Sequence, residues 1–384
     1  MKMDSKAKKI CIFSAQFLPH MGGVEQYTYH LSRTLIKRGY QVTVVTSNTT
    51  ASPSREVLDE ILVYRMPCFN LMDGRFPILK MNGTFGKIDK ILKKTKYDLV
   101  IVNTRFYFHS LYAVRYAKKM GVKSILIDHG TSHLNMHNPV LNFAGEMFEH
   151  ILTAIEKKYC NDFYAVSKAS LDWLKHFSID GKDALYNAID LENVFKSQNL
   201  FIKDYRKIYN IKENATVIAF TGRLIKEKGI IQLINAVKKI REKNPFVYLL
   251  IAGYGNEENF VKENTDEGII WLGKLNFDEV IALLKVSDIF CLPSDSEGFS
   301  SSILEAAASK CYIVTTYRGG AVELILDESY GLIINDNTEA TIQDALEKTI
   351  DLGEERNNAV EKTFERLKNN FTWEHTASKI EQLF

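Results

Sequence analysis

The chain contains no run of about 18 apolar residues, the length a helix needs to cross a bilayer, so no membrane-spanning segment is expected. Met1 to Lys9 is polar and basic and runs straight into the strand-like Ile10-Cys11-Ile12-Phe13, with no apolar stretch and cleavage site of a secretion signal. A cytoplasmic protein is the expectation. The five cysteines, Cys11, Cys68, Cys160, Cys291 and Cys311, are scattered, odd in number and free of C-x-x-C spacing. That pattern argues against a disulfide framework and a thiolate metal site, and buried thiols are expected. No fixed-period repeat or low-complexity segment occurs, which excludes a solenoid.

What the chain does have is length and an ordinary globular composition. Its 384 residues exceed one hydrophobic core, so two domains of moderate size are expected. Hydrophobic residues make up 46% and charged residues 25%, as in soluble proteins. The net charge of +2 hides a division: residues 1–198 carry 27 Lys and Arg against 18 Asp and Glu, while the remainder carries 22 against 29. The first half is therefore suited to an anionic partner such as a membrane surface, a lipid diphosphate or a nucleic acid.

Short β-rich apolar runs alternate with helical patterns, the signature of βαβ units and a mainly parallel sheet. Strands are expected at Ile10–Ala15, Gln41–Thr46, Ile61–Arg65, Asp98–Asn103, Lys123–Asp128 and Asp162–Val166. The alternation restarts near residue 215, with strands at Thr216–Thr221, Val247–Ala252, Ile269–Gly273, Asp288–Leu292, Tyr312–Thr315 and Gly331–Ile334. The fold class is α/β, with two Rossmann-like doubly wound domains over 1–195 and 196–369 and a helical segment over 370–384. In such open sheets ligands bind beyond the carboxyl ends of the strands.

Three clusters fall at such ends. Gly22-Gly23-Val24-Glu25 closes the first βα loop and opens a helix, where bare backbone lets an anion approach free N–H groups; an ordinary glycine turn is the alternative. Gly222-Arg223 and Lys228-Gly229 bring two cations to a helix start, a diphosphate-binding chemistry that also reads as a solvated charge run. Pro293 to Glu305 leaves a strand, turns at Gly298 and enters a helix that Ser300 or Ser301 could cap. Glu297 before that helix and Glu305 within it can meet different parts of one ligand, and carboxylates accept paired hydrogen bonds from sugar and ribose hydroxyls.

Together with Asp128-His129-Gly130, Ala165-Val166-Ser167, Asn187-Ala188-Ile189-Asp190, Gly253-Tyr254-Gly255 and Phe371-Thr372-Trp373, these motifs resemble glycosyltransferase family 4, retaining enzymes of the GT-B fold, over almost the whole chain. The resemblance implies that two domains face a central cleft holding a nucleotide-sugar donor, and that the last helix crosses back to the first domain. It implies diphosphate contacts from Arg223 and Lys228, a ribose contact from Glu305, and contacts to the sugar and distal phosphate from Glu297, Gly298 and the backbone of Phe299-Ser300-Ser301. His129 would line the sugar pocket, with Gly22 and Gly23 approaching the phosphate; His129, Arg223, Lys228 and Glu297 are the expected catalytic group. The sequence departs from the family pattern at Asn187-Ala188, usually Asn-Gly, and at Gly255-Asn256, usually Gly-Pro.

Other chemistries fit less well. His129, His133 and His137 recur every four residues like metal ligands, but Gly130 and Asn135 oppose a continuous helix and no H-E-x-x-H occurs. Asp295-Ser296-Glu297 is similar to the acidic metal-binding triplet of the other large glycosyltransferase fold, yet Arg223 and Lys228 already supply positive charge to a leaving diphosphate. No metal and no cofactor are expected, the nucleotide-sugar being a substrate. A dehydrogenase is disfavoured because Gly253-Tyr254-Gly255-Asn256-Glu257-Glu258 lacks the third glycine of the dinucleotide fingerprint. A non-catalytic partner of another transferase would have lost the charged motif residues.

The acceptor is expected to meet the positive first domain. Lys87, Lys90, Lys93, Lys94 and Lys96 crowd a short helix with Ile88, Ile91 and Leu92, after a loop expected to expose Phe69, Leu71, Phe76, Pro77 and Ile78. Basic and apolar residues in one place suit an anionic membrane surface, although a helix with a packed apolar stripe has the same pattern. Nucleic acid is disfavoured for want of a binding motif. A polyprenyl-diphosphate-linked saccharide of bacterial capsule or exopolysaccharide assembly is the expected acceptor, with a UDP-sugar as donor and a peripheral place on the inner face of the plasma membrane.

Overall fold

A computed structural model describes residues 7–20, 22–71, 74, 76–133, 138–200 and 203–384. The chain forms two compact units, Met1–Asn187 with Trp373–Phe384, and Ala188–Thr372.

The first unit contains β1 (Lys9–Ser14), β2 (Gln41–Ser47), β3 (Arg55–Leu58), β4 (Ile61–Met66), β5 (Cys68–Leu71), β6 (Phe76–Leu79), β7 (Leu99–Asn103), β8 (Ser124–Asp128) and β9 (Asp162–Ala165). Seven of them form one sheet in the order β3-β4-β2-β1-β7-β8-β9, parallel except for β3 against β4. Its central strands are apolar on both faces because helices cover both: Ile10, Cys11, Ile12 and Phe13 of β1 and Leu99 to Val102 of β7 are fully buried. The helix Gly23–Lys37 buries Tyr27, Leu31 and Leu35 on its inward stripe and ends where Gly39 takes a positive φ.

The second unit contains β10 (Thr216–Thr221), β11 (Val247–Ala252), β12 (Ile269–Trp271), β13 (Ile289–Leu292), β14 (Tyr312–Thr316) and β15 (Leu332–Ile334). They form a wholly parallel sheet in the order β12-β11-β10-β13-β14-β15. Among the parallel strands of each sheet the order reverses once, between β1 and β7 and between β10 and β13, and the loops leaving those strands flank a natural ligand crevice.

The final helix, Trp373–Glu381, belongs to the first unit. Trp373 is buried against Tyr27 and stacks on His30, with ring centroids 5.2 and 5.6 Å apart. The Arg38 guanidinium donates to Glu381 at 2.8 Å, to Ser378 at 2.9 Å and to the Glu374 carbonyl at 2.7 Å.

Three expectations change. The segment carrying Phe69 to Ile78 is the antiparallel hairpin β5–β6 rather than a loop, and Pro77 is buried while Phe76 stacks on Tyr107 at 5.2 Å. On the lysine-rich helix Gly83–Lys94, Ile88 and Leu92 are buried core residues, which leaves only Ile91 exposed there. Cys68 is partly exposed, unlike the other four cysteines. Among the described residues no helix is long and apolar enough to cross a membrane.

Candidate functional site

In the second unit the charged loops leave the two strands that flank the reversal of strand order. After β10 the chain passes Gly222 and Arg223, makes a short helical turn over Lys226–Lys228, and enters the helix Ile230–Lys243 through Gly229. Gly229 has φ +69°, and a Cβ there would run into the Pro293 carbonyl, so the turn lies directly on the loop that leaves β13. Hydrogen bonds fix that contact: the Glu227 carbonyl accepts from Asp295 N at 2.8 Å and from Ser294 Oγ at 3.1 Å.

This seam sets Lys228 against Glu297. Lys228 Nζ and Glu297 Oε1 form an ion pair in which both side chains are largely covered, 15% and 12% exposed. Gly319, at φ +66°, lets the loop after β14 press on the Glu297 carbonyl, and Gly320 N donates to the Gly298 carbonyl at 2.8 Å. Phe299 points inward and packs edge-on against Phe371 at 5.1 Å, leaving its backbone as the part that can serve a ligand. Ser300 occupies the cap position of the helix Ser301–Ala308, but its side chain accepts no capping hydrogen bond.

Arg223 is exposed and, among the described residues, makes no ion pair or side-chain hydrogen bond. Glu305, one turn into the helix Ser301–Ala308, likewise has no side-chain partner among them. Desolvation alone pushes its pKa up to about 7. A largely covered carboxylate with no partner among the described residues is suited to accept hydrogen bonds from neutral hydroxyls.

The first unit holds the remaining expected residues. Gly22 precedes the helix Gly23–Lys37 without a side-chain cap, and the space above Gly23 is open. Glu25 folds back on this turn: a Cβ on Gly22 would meet its carboxylate, which also accepts from its own backbone N–H and pairs with His20 at 3.3 Å. Burial raises the Glu25 pKa, with the backbone bond and His20 opposing the rise. An anion at Gly22 meets this carboxylate, whereas the approach to Gly23 is open.

His129 follows β8, meets the Tyr27 ring edge-on at 4.8 Å and places Nε2 3.3 Å from Asn103 Oδ1. Asn103 donates onward to Thr28 Oγ1 at 2.7 Å, and Thr28 to the Val24 carbonyl at 2.8 Å. Burial drives the His129 pKa down to about 3, so the imidazole is neutral at physiological pH. It can donate or accept a hydrogen bond; it cannot act as an imidazolium acid there.

The sequence reading missed the neighbours of His129. Thr104 and Phe106 follow β7 with φ of +68° and +61°, a conformation that costs non-glycine residues about 1 kcal/mol or more and gathers at functional loops. Between them Arg105, 1% exposed, reaches Asp128 at 3.2 Å and Glu149 at 3.4 Å. Burial raises the Asp128 pKa and takes that of Glu156 to about 8, only partly offset by the Phe106 N–H and Arg105. One guanidinium facing three carboxylates explains why one of them keeps its proton. The available signal was a basic residue three positions after the wholly apolar Leu99 to Val102.

The regular histidine spacing has no helical counterpart: residues 129–133 form no helix, and His137 lies outside the described residues.

Two doubly wound parallel sheets, with glycine-bearing charged loops where the strand order reverses, define a two-domain α/β protein of the GT-B class. Residues 21–193 match Glycosyltransferase Family 4 and residues 201–366 match Glycosyl transferases group 1. Two glycosyltransferase models thus cover most of the chain between them, and the chain is a glycosyltransferase whose first half is similar to family 4. An uncharacterized glycosyltransferase of Methanocaldococcus jannaschii is 27% identical over 98% of each chain. An Arabidopsis thaliana component of phosphatidylinositol N-acetylglucosaminyltransferase is 26% identical over 98% of this chain and 81% of its own length. A glycosyltransferase from Rickettsia africae has the same fold, with a TM-score of 0.76 and 20% identity over 98% of each chain. The Anabaena HepE protein in complex with UDP superposes with a TM-score of 0.73 and 17% identity, covering 98% of this chain and 99% of that one.

Proposed function

We propose that the chain transfers a sugar from a UDP-sugar to a lipid-linked, phosphate-bearing acceptor at a membrane surface, with retention of configuration and no metal in the chemistry. The observation that carries the donor half is the charge arrangement behind β10 and β13: a covered Lys228–Glu297 pair, an exposed Arg223 and a lone Glu305. Arg223 and Lys228 offset the charge that develops on the departing diphosphate, and the start of the helix Ser301–Ala308 adds its backbone N–H groups. Glu305 takes the ribose hydroxyls. Glu297 orients the transferred sugar rather than attacking it. The acceptor hydroxyl bonds to the anomeric carbon as the bond to the diphosphate breaks, and its proton passes to the departing phosphate oxygen. Retention follows from the likeness to family 4, and UDP from the UDP complex of HepE.

The acceptor half draws on the first unit. A pocket of about 640 Å³ is lined by apolar Leu79, Phe85, Phe108 and Leu111 and by cationic Lys93, Arg115, Lys118 and Lys119, a combination suited to an acyl or prenyl chain with a phosphate. On the helix Pro139–Glu156, Val140, Phe143, Met147 and Ile151 recur on one face and are half to three-quarters exposed. An apolar stripe of this kind suits the boundary between headgroups and acyl chains. The phosphatidylinositol-directed names of several relatives favour a phospholipid over a soluble sugar; capsule or exopolysaccharide assembly is the pathway reading made from sequence.

The experiment pairs a nucleotide-diphosphate binding screen with mass spectrometry of transfer to lipids in anionic vesicles. Tightest binding of UDP and a glycosylated lipid are expected. Absence of nucleotide binding overturns the donor half, and full activity on a soluble sugar without vesicle binding overturns the acceptor half.

A further inference from the structure

Three histidines with no part in glycosyl transfer converge within the first unit. His133 follows β8, His150 lies on the helix Pro139–Glu156, and His176 ends the helix Lys168–Lys175. The Nε2 atom of His176 stands 3.1 Å from Nε2 of His133 and 3.1 Å from Nε2 of His150. One ligand atom from each of the three lies within 4.8 Å of the others.

Hydrogen bonding cannot account for this. A ring nitrogen carries one proton or one lone pair, in the ring plane, so Nε2 of His176 cannot make two well-aligned bonds to two other ring nitrogens. A shared cation can satisfy all three lone pairs. Nitrogen ligands about 2.0–2.1 Å from zinc stand roughly 3.3 Å apart at tetrahedral angles, close to the two 3.1 Å separations from His176, and the remaining pair lies within 4.8 Å.

A second feature points the same way. His133 Nδ1 lies 2.8 Å from Glu149 Oε2, and Glu149 is 3% exposed and held in turn by Arg105. The carboxylate keeps the proton on Nδ1 and leaves the Nε2 lone pair facing the other two rings, the carboxylate–histidine arrangement that orients metal ligands. The Trp173 ring stacks on His176 at 4.8 Å and 6°, fixing the plane of that imidazole.

We propose that His133, His150 and His176 form a zinc site, with Glu146 or water as the fourth ligand. Glu146 lies one helical turn before His150 on the same helix, and its charge acts on His176. The ion ties together three separate stretches of the first unit: the segment after β8, the helix carrying the exposed apolar stripe and the end of the helix Lys168–Lys175. It acts as a clamp on that helix and takes no part in transfer.

The test uses the full-length chain stripped by a chelator and titrated with cobalt(II), then with zinc. One equivalent of cobalt is expected to bind with the intense visible absorption of a four-coordinate ion, zinc is expected to bleach it, and zinc is expected to raise the Tm. The double variant His150→Asn, His176→Asn, altered at two exposed positions, is expected to keep the metal-free circular dichroism and Tm while losing at least about 100-fold in affinity. Equal cobalt binding by wild type and double variant, or a six-coordinate spectrum in the wild type, overturns the proposal. Nucleotide binding is not a readout, so this result stands or falls independently of the proposed activity.

Discussion

Lys228 and Glu297 stand 69 positions apart in the chain and form an ion pair at the loops that leave two adjacent strands of one sheet. The pair is held by neighbours that are not charged: the Glu227 carbonyl binds the backbone and side chain of the opposite loop, and Gly229 and Gly319 remove the Cβ atoms that would wedge the loops apart. In the proposed function a diphosphate beside Lys228 competes with Glu297 for its ammonium, and donor binding is expected to free this carboxylate to meet the sugar.

That competition separates the two residues kinetically. Lys228→Met is expected to weaken UDP binding by about 1.5–3 kcal/mol, roughly tenfold to a hundredfold. Glu297→Ala is expected to keep UDP affinity within a few-fold and to lower kcat by about 100-fold through misplacement of the sugar. Calorimetry and steady-state kinetics check both; near wild-type turnover by Glu297→Ala removes its orienting role.

Glu305 predicts the pH dependence of binding. Its carboxyl has a pKa raised to about 7, so the anion, proposed to accept the ribose hydroxyls, prevails above that pH. UDP affinity is expected to fall as pH drops below 7, approaching tenfold per unit. Glu305→Gln is expected to bind more weakly at pH 8 and to lose this step, which a titration series at fixed ionic strength reads directly.

Glu156 predicts a loss of stability toward alkaline pH. Its pKa rises from the ordinary 4.5 to about 8 in the folded chain, so the folded state holds the proton more tightly than the unfolded one. The associated stability is fully present below about pH 4.5 and lost as pH rises through about 8. Urea unfolding between pH 5 and pH 9, endpoints chosen roughly to span that window, is expected to show this slope in the wild type and a flatter one in Glu156→Gln.

The terminal helix predicts a large packing effect far from any ligand. Trp373 is 3% exposed and lies on Tyr27 and His30, so Trp373→Ala is expected to cost about 3–5 kcal/mol. Denaturant unfolding followed by first-unit probes checks it, and a cost below about 1 kcal/mol shows that the helix does not anchor there.

The exposed stripe predicts membrane binding without a stability effect. Phe143→Asp with Ile151→Asp is expected to abolish flotation with anionic vesicles and to change unfolding free energy by no more than about 0.5 kcal/mol per site. Flotation of the wild type is expected to weaken with added salt, since screening shortens the reach of Lys118 and Lys119.

The linear sequence determined the parts of this protein that rest on local physics. Apolar runs such as Ile10 to Phe13 and Val217 to Phe220 are strands because covered parallel sheets need apolar residues on both faces, and they are legible as such. Strands β3, β5 and β6 escaped notice because they are only four residues long, partly exposed and built by antiparallel pairing, and the apolar β6 carries Pro77, which argues against a strand. The loop residues Arg223, Lys228, Glu297 and Glu305 were legible as chemistry by type and position. Their states were not: that Lys228 is engaged by Glu297 while Arg223 and Glu305 have no side-chain partner among the described residues depends on loops brought together by β10 and β13. The proton on Glu156, the neutrality of His129 and the meeting of His133, His150 and His176 were likewise decided by tertiary structure, because desolvation and proximity are properties of surroundings that no spacing along a chain records.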